Sequence, residues 1–499
     1  MKTIEEINEK IRDGNVNVVD ALEMCDIVEE LGAEKAAKEV DVVTTGTFGA
    51  MCSSGMFFNL GHADPPIKIS RMWLNDVEAY AGIAAVDGYL GVTQISETKG
   101  LEYGGGHVIE ELVEGKSVEL RAEGFGTDCY PSRRVTTEIT LADMNQTIML
   151  NPRNSYQRYN AATNSTERVL YTYMGTLLPD YGNITYSGAG ALSPLCNDPN
   201  FDAIGIGTRI FLCGAKGYII GEGTQHDPEN NFATLMVKGD LKEMSTEFLR
   251  AAVFTGYGTS LYVGIGVPIP VLNEKIASNC GVRDCDIETN VLDYGIGRRK
   301  RPILRKVTYE ELKSGSIELF GREVKCSSLS SIKKAEEIAK LLAKWIKKGE
   351  FLLTPAVESL PRTGSAKPMK LARRKKRASQ IMSRQVVVVR PSESIRDVAK
   401  NLIKGGFNHL PVVSEDDKLV GIITSWDISK AVANGLVDGK VEDIMTTKVV
   451  CAVEDDPIET VAHKLKKYKI SAVPVVDSER HVIGMITSED ISKLLAKGE

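Results

Sequence analysis

Along the 499-residue chain, apolar positions follow a helical spacing in a few stretches and form short strand-like runs in many others. The charged opening "MKTIEEINEKIRDG" reads as a helix, with Thr3 and Glu6 spaced as a capping box. "ALEMCDIVEEL" has the period of an amphipathic helix. So does "SSIKKAEEIAKLLAKWIKKGEF", which adds i, i+4 charge pairs and is expected to close a first domain. Short apolar segments such as "VDVVTTG" and "GYIIGEG", divided by glycine turns, read as strands. The tetrapeptide Gly-x-Gly-Thr recurs at Gly124, Gly205, Gly221 and Gly256. None completes a G-x-G-x-x-G dinucleotide fingerprint, so these turns are expected to cap strands in an α/β or mixed α+β domain over residues 1–360.

The C-terminal part repeats itself. "FNHLPVVSEDDKLVGIITSWDISK" is matched by "ISAVPVVDSERHVIGMITSEDISK", and Met382, Pro411, Gly421 and Asp427 align with Met445, Pro474, Gly484 and Asp490 at a constant offset of 63 residues. Each copy predicts strand, helix, "PVV" strand, turn, "GIIT" or "GMIT" strand, helix, and two half-covered apolar faces should pack as a pair. The repeat resembles a tandem CBS-domain pair, with copies at 380–437 and 438–499. That resemblance implies an α/β module whose inter-copy cleft takes an adenosine ligand such as S-adenosylmethionine, AMP or ATP. The contacts would fall to Thr424 with Asp427 and Thr487 with Asp490. Capping of the two following helices is the alternative role for the two aspartates.

Ahead of the repeat, residues 361–379 carry seven Lys or Arg between Lys367 and Arg377 and read as a solvated linker. A second basic stretch, "RRKRPILRK" from Arg298, lines an anionic site or faces water. Net charge is −6, which disfavours a nucleic-acid binder. No apolar run reaches the roughly 18 residues of a membrane span, and the N-terminus lacks the apolar core of a signal peptide, so a cytoplasmic protein is expected. The nine cysteines are scattered and include no CxxC, which points to free thiols and against a metal or cluster site built by this chain.

Two thiols stand in glycine-rich polar loops: Cys52 in "TTGTFGAMCSSG" and Cys129 in "GFGTDCYPSRR". Arg133 and Arg134 lie close enough in sequence to favour a Cys129 thiolate or to grip a substrate carboxylate, while Asp128 opposes the first effect. The amides of "SSG" after Cys52 could form an anion nest. Cys25, Cys213 and Cys451 read as small buried hydrophobes, and Cys196 and Cys326 stay open. His62, His107 and His226 read as loop histidines with structural hydrogen bonds.

The long motifs "TTGTFGAMCSSGMFFNLGHADPPIK", "GYLGVTQ", "EGFGTDCYPSRR" and "GIGTRIFLCGAKGYIIGEGTQH", followed by the CBS pair, resemble the archaeal homocysteine biosynthesis family found largely in methanogens. The resemblance covers essentially the full chain. It implies a sulfurtransferase that turns L-aspartate semialdehyde and sulfide into L-homocysteine through a cysteine persulfide at Cys129, with Cys52 as the second characteristic thiol. Aldehyde plus sulfide must gain two electrons to become a thiol. The chain shows no cofactor motif, so an external low-potential donor is expected, and the resemblance implies a ferredoxin-like iron–sulfur protein; CBS pairs commonly associate, so a homodimer is expected. Two other readings cover parts of the chain. An inosine-monophosphate-dehydrogenase-like nucleotide dehydrogenase also joins CBS copies to a loop cysteine, but carries them inside a barrel. A non-enzymatic adenosine-ligand sensor would use the basic linker on nucleic acid.

Overall fold

A computed structural model describes residues 2–364, 366–369 and 376–496. Lys370, Arg373, Arg374 and Lys375 of the basic linker lie outside the described residues. The chain divides into two compact units, Met1–Lys367 and Pro368–Glu499.

In the first unit the Thr3/Glu6 capping box starts the helix Ile4–Arg12, and "ALEMCDIVEEL" is the helix Ala21–Leu31, capped by Asp20. A fifteen-stranded sheet forms the body. From one edge it runs Arg134–Ile139, Val118–Gly124, Ile69–Leu74, Val77–Ala81, Asp87–Gly91, Gly55–Asn59 and Gln146–Asn154. It continues through Leu235–Asp240, Ala215–Glu222 and Arg209–Leu212 to the long strand Gly258–Gly266 and its partner Leu249–Phe254. The strand Thr47–Ala50 pairs with the other side of Gly258–Gly266 (Tyr262 opposite Ala50) and then turns directly into Gly55–Asn59. The turn at residues 51–54 therefore ties together two stretches that are far apart along the sheet.

The helix Ile332–Lys347, capped by Ser331, lays Ala335, Ile338, Ala339, Leu342 and Ile346 on this sheet. Its approach is close: a Cβ at Gly46 would lie 2.0 Å from the Ala335 carbonyl oxygen, so only glycine fits there. A second, six-stranded sheet centres on Ala161–Thr163 and Ile184–Tyr186, with Glu288–Asp293 and Arg322–Ser328 flanking them, and has a core of its own. The fold is mixed α/β, as the sequence pattern predicts.

Three of the Gly-x-Gly-Thr turns join or end strands as expected. Gly256 and Gly258, both at positive φ, make the hairpin between Leu249–Phe254 and Gly258–Gly266. Gly207, also at positive φ, follows the short strand Gly205–Ile206, and Gly126 follows Val118–Gly124.

In the second unit each repeat copy supplies an antiparallel pair, His409–Val413 with Leu419–Thr424 and Ala472–Val476 with Val482–Thr487. The first strand of each copy is shorter than predicted. In "QVVVV" only Val389 bridges to Val412, and in "KVVCAV" only Ala452–Val453 forms a strand. Among the described residues the other valines of these two segments enter no strand. Met382 packs on Gly484 of the second copy, and Met445 packs on Gly421 of the first. The core of the second copy accordingly includes Ala378 and Met382, and that of the first includes Val441.

Candidate functional site

Cys52 sits in the turn between Thr47–Ala50 and Gly55–Asn59, where sheet pairing from both sides fixes the backbone. The Met51 amide donates to the Leu261 carbonyl at 2.8 Å, and the Ser54 amide donates to Met51 at 3.1 Å. With its amide engaged, Ser54 cannot contribute to the anion nest that "SSG" suggested. The side chains look elsewhere. Asn151 Nδ2 donates to Ser54 Oγ at 2.8 Å, and Ser53 Oγ donates to the Arg153 carbonyl at 3.4 Å. Cys52 Sγ lies 3.1 Å from Ser260 Oγ and also hydrogen-bonds the Tyr257 hydroxyl.

Burial raises the Cys52 thiol above its ordinary value. The hydrogen bonds from Ser260 and Tyr257, and then the Arg153 guanidinium, oppose this without cancelling it. The resting group is thus a protonated thiol in a site already built to receive its anion. Tyr156 and Tyr262 complete the surroundings of the thiol. Tyr257 also walls a cavity of about 440 Å³ together with Tyr173, Tyr294 and Arg301. Arg301, from the "RRKRPILRK" stretch, stacks 4.0 Å over the Tyr294 ring. The Tyr173 and Tyr294 hydroxyls are 2.9 Å apart.

Cys129 is placed very differently. Thr127 and Tyr130 exchange backbone hydrogen bonds at 2.9 and 3.1 Å, leaving Asp128 and Cys129 at the exposed tip of a tight turn. Phe125 beside it is 75% exposed. The loop rests on "HADPPIK": Tyr130 stacks on His62 with ring centroids 5.5 Å apart, and Ser132 Oγ donates to the Pro65 carbonyl at 2.7 Å. Thr127 Oγ1 lies 3.6 Å from Cys129 Sγ. The arginines do not cap the thiol. Arg134 pairs with Glu123 at 3.7 Å, across the Glu123–Arg134 register of the two strands, and Arg133 lies along Gly126.

The two loops do not meet within one chain. Gly124 pairs with Ile69 in the row that leads across the sheet to Asn59, whereas Cys52 lies beyond Gly55, at the other end of that strand. Three strands also intervene, so four interstrand steps of about 4.8 Å separate the two loops by roughly 20 Å along the sheet. Direct resolution of a Cys129 disulfide by Cys52 of the same chain does not follow from this arrangement.

Five other thiols are silenced by burial, which pushes Cys25 and Cys326 up to about 11, Cys196 and Cys213 to about 12, and Cys280 well above its ordinary value. Cys451, expected in a core, is only half-buried because it precedes its short strand. Cys285 is exposed. His226 is held by Thr234 and the Pro361 carbonyl. His107 stands in the first turn of the helix Gly105–Val113, rather than in a loop, and accepts from the Gly104 amide. No metal-holding group of three or more His, Cys, Asp or Glu occurs among the described residues.

In the second unit a cleft of about 740 Å³ opens between the copies and is lined by His409, Thr424, Trp426, Asp427 and Thr487. Asp427 Oδ2 accepts from Thr424 Oγ1 at 2.6 Å in a capping box, and its Oδ1 meets Lys430 at 2.9 Å. Asp490 accepts from Thr487 Oγ1 at 2.7 Å. Both aspartates therefore hold their helix starts, and Asp427 in addition faces the cleft.

Sequence reasoning missed Ser260, Tyr257 and Arg153. Ser260 is 208 positions from Cys52 and carries no local signal. Tyr257 lay inside the Gly256 turn, read only as a strand connection.

A thiol held by hydroxyls in an α/β domain, joined to a repeat module with a ligand-sized cleft, is the architecture of an enzyme that carries a CBS pair. The family model described as homocysteine biosynthesis enzyme, sulfur-incorporation, matches residues 16–353, and the chain belongs to that family. The CBS domain model matches residues 378–434 and 441–497. Relatives in Methanosarcina acetivorans and Methanocaldococcus jannaschii, each named L-aspartate semialdehyde sulfurtransferase, are both 57% identical over 99% of this chain and 99% of their own length. A solved CBS domain pair in complex with 5′-methylthioadenosine and S-adenosyl-L-methionine is 48% identical, covering 25% of this chain and 98% of its own, with a TM-score of 0.24. No helix among the described residues is long and apolar enough to cross a membrane.

Proposed function

We propose that this chain transfers sulfur to the aldehyde carbon of L-aspartate semialdehyde and releases L-homocysteine. The observation that carries the reading is Cys52, held by Ser260 and Tyr257 beside Arg153, in a chain matched end to end by relatives of that name. The balance is aldehyde plus hydrogen sulfide plus two electrons and two protons, giving thiol plus water. The carbon–oxygen double bond is replaced by one carbon–sulfur and one carbon–hydrogen bond. The electrons come from an external low-potential donor of the ferredoxin-like iron–sulfur class. Cys129, exposed at a loop tip, is the thiol that a donor protein can reach. A donor carrying sulfane sulfur passes it to Cys129 by exchange, leaving the donor as its thiol and Cys129 as a persulfide, and two further electrons from the same external reductant release that sulfur at the sulfide level used in the balance above. Cys52, half-buried among hydroxyls, works where the aldehyde is sheltered from water.

The CBS cleft takes an adenosine ligand, S-adenosylmethionine, AMP or ATP, through Thr424, Asp427, Thr487 and Asp490. Binding there shifts the populations of the chain. The working form is a cytoplasmic homodimer.

The test is anaerobic. Full-length protein is mixed with L-aspartate semialdehyde, sulfide and a low-potential reductant, with a ferredoxin-like protein in a parallel arm, and homocysteine is measured. Wild type is expected to form product, Cys52→Ala to lose it, and Cys129→Ala to lose it when polysulfide replaces sulfide as the sulfur source, both variants keeping their fold. No product in either arm, with the reductant shown to be active, would refute the reaction. Full activity in one variant with its stated sulfur source would remove that thiol from it.

A further inference from the structure

The segment "NPRNS", from Asn151 to Ser155, leaves the central sheet beside the Cys52 turn, and although Asn151 and Asn154 are each hydrogen-bonded through one atom, three successive residues of it keep a buried polar atom without a partner. Arg153 Nε, Asn154 Nδ2 and Ser155 Oγ are three consecutive buried polar groups without a hydrogen bond. Asn154 is 0% exposed and Ser155 is 1% exposed. Buried donors left unmatched are costly, so a run of three needs a reason. The backbone is shaped for it: the pairing of Gln146–Asn154 with Leu235–Asp240 shifts register between Asn151 and Asn154, and Ser155 holds a φ of +50°.

The place is next to the thiol. Ser53, the neighbour of Cys52, donates to the Arg153 carbonyl, and the Arg153 charge acts on Cys52, Tyr156 and Tyr257 alike. Arg153 makes no ion pair with any described residue. An uncompensated guanidinium beside a reactive thiol selects an anion, and a planar fork suits a carboxylate. The aldehyde of the proposed reaction carries one, with two carbons between it and the carbon that reacts.

We infer that Arg153, supported by Asn154 and Ser155, is the recognition site for the α-carboxylate of the amino-acid aldehyde, and that Arg133 and Arg134 are not. This rests on the reaction proposed above for the same site. Arg134 is already paired with Glu123, and the Cys129 loop that carries both arginines lies at the far end of the sheet. Arg153 fixes the substrate by its carboxylate, so the aldehyde carbon falls at Cys52.

The test is calorimetric titration of the full chain with L-homoserine, an unreactive analogue, and with 3-amino-1-propanol, the same molecule without its carboxylate. Wild type is expected to bind L-homoserine and to bind the amino alcohol at least about tenfold more weakly. Arg153→Gln should weaken L-homoserine by about 10- to 100-fold, the range for a hydrogen bond to a charged group. Arg153→Lys should fall between, and Arg133→Gln and Arg134→Gln should bind as wild type. Equal binding of the two probes by wild type overturns the inference whatever the variants do, and so does unchanged binding in a folded Arg153→Gln. The readout needs no turnover. A wild type that binds through Arg153 but makes no homocysteine removes the reaction and keeps the site, and the converse removes the site and keeps the reaction.

Discussion

Ser260→Ala deletes one of the two hydroxyls that hydrogen-bond Cys52 Sγ, and changes nothing that touches Cys129. The bond is 3.1 Å long and becomes charge-assisted once the thiol ionises. A hydrogen bond to a charged group contributes about 1.5–3 kcal/mol, and each 1.4 kcal/mol is tenfold in an equilibrium constant. With burial already holding the thiol in its protonated form, losing this bond lowers the thiolate population further, by roughly 10- to 100-fold at fixed pH. Alkylation reads that population directly, since the thiolate is the nucleophile. The assay is labelling of both thiols with iodoacetamide at pH 7.5 in one tube, quantified by peptide mass spectrometry. Exposed Cys129 is the internal reference. The Cys52-to-Cys129 rate ratio is expected to fall by one to two orders of magnitude in Ser260→Ala. Access and ionisation oppose each other here, because removing the hydroxyl opens space beside the thiol. A ratio that stays constant or rises would show that Ser260 merely covers Cys52 and would refute the account of its ionisation.

Three further outcomes follow from the packing and the titrating groups. Gly46→Ala drives a Cβ into the Ala335 carbonyl and should destabilise the first unit by about 1–3 kcal/mol or more, seen as a lower thermal midpoint with the second unit's transition unmoved. Cys196 and Cys213 ionise near 9 when unfolded and only at about 12 when folded, so unfolding releases protons in between. Stability is therefore intact below pH 9 and falls as pH rises from about 9 to 12. Cys213→Ala should flatten that alkaline decline in a melting series even if its midpoint at pH 7 is lower. Asp427→Ala removes the N3 half of the capping box, which accepts from the Thr424 amide and hydroxyl, together with the cleft carboxylate, and should destabilise the second unit by about 1 kcal/mol, read as a lower thermal midpoint. Asp427→Asn, which keeps a capping side chain, should recover most of that loss but not an adenosine-ligand thermal shift.

Local signals carried through where one segment decides its own structure. The Thr3/Glu6 box, the helix of "ALEMCDIVEEL" and the 63-residue repeat all stand as the sequence predicts. The site was legible only in half. Cys52 was visible from its glycine-rich loop, but its partners come from strands about 100 and 208 positions away, brought together by sheet pairing that no periodicity encodes. The opposite error affected Arg133 and Arg134. Closeness to Cys129 in sequence suggested a shared task, yet a β-hairpin sends its two arms back along the sheet, and Arg134 met Glu123 on the opposing strand instead. The strand predicted from four valines failed for a similar reason, because a strand needs a neighbour along its whole length and Val389 alone has one.

The exchange of Met382 and Met445 between the repeat copies bears on how the module comes into being. Met382 leaves the ribosome about a hundred residues before Gly484, the floor it will rest on, so neither copy can finish its interior until the other has been synthesised. The two cores therefore close together, once both copies are present. A protease cut between residues 434 and 441 would leave two chains still clasped to each other, and neither half expressed alone would inherit a whole core.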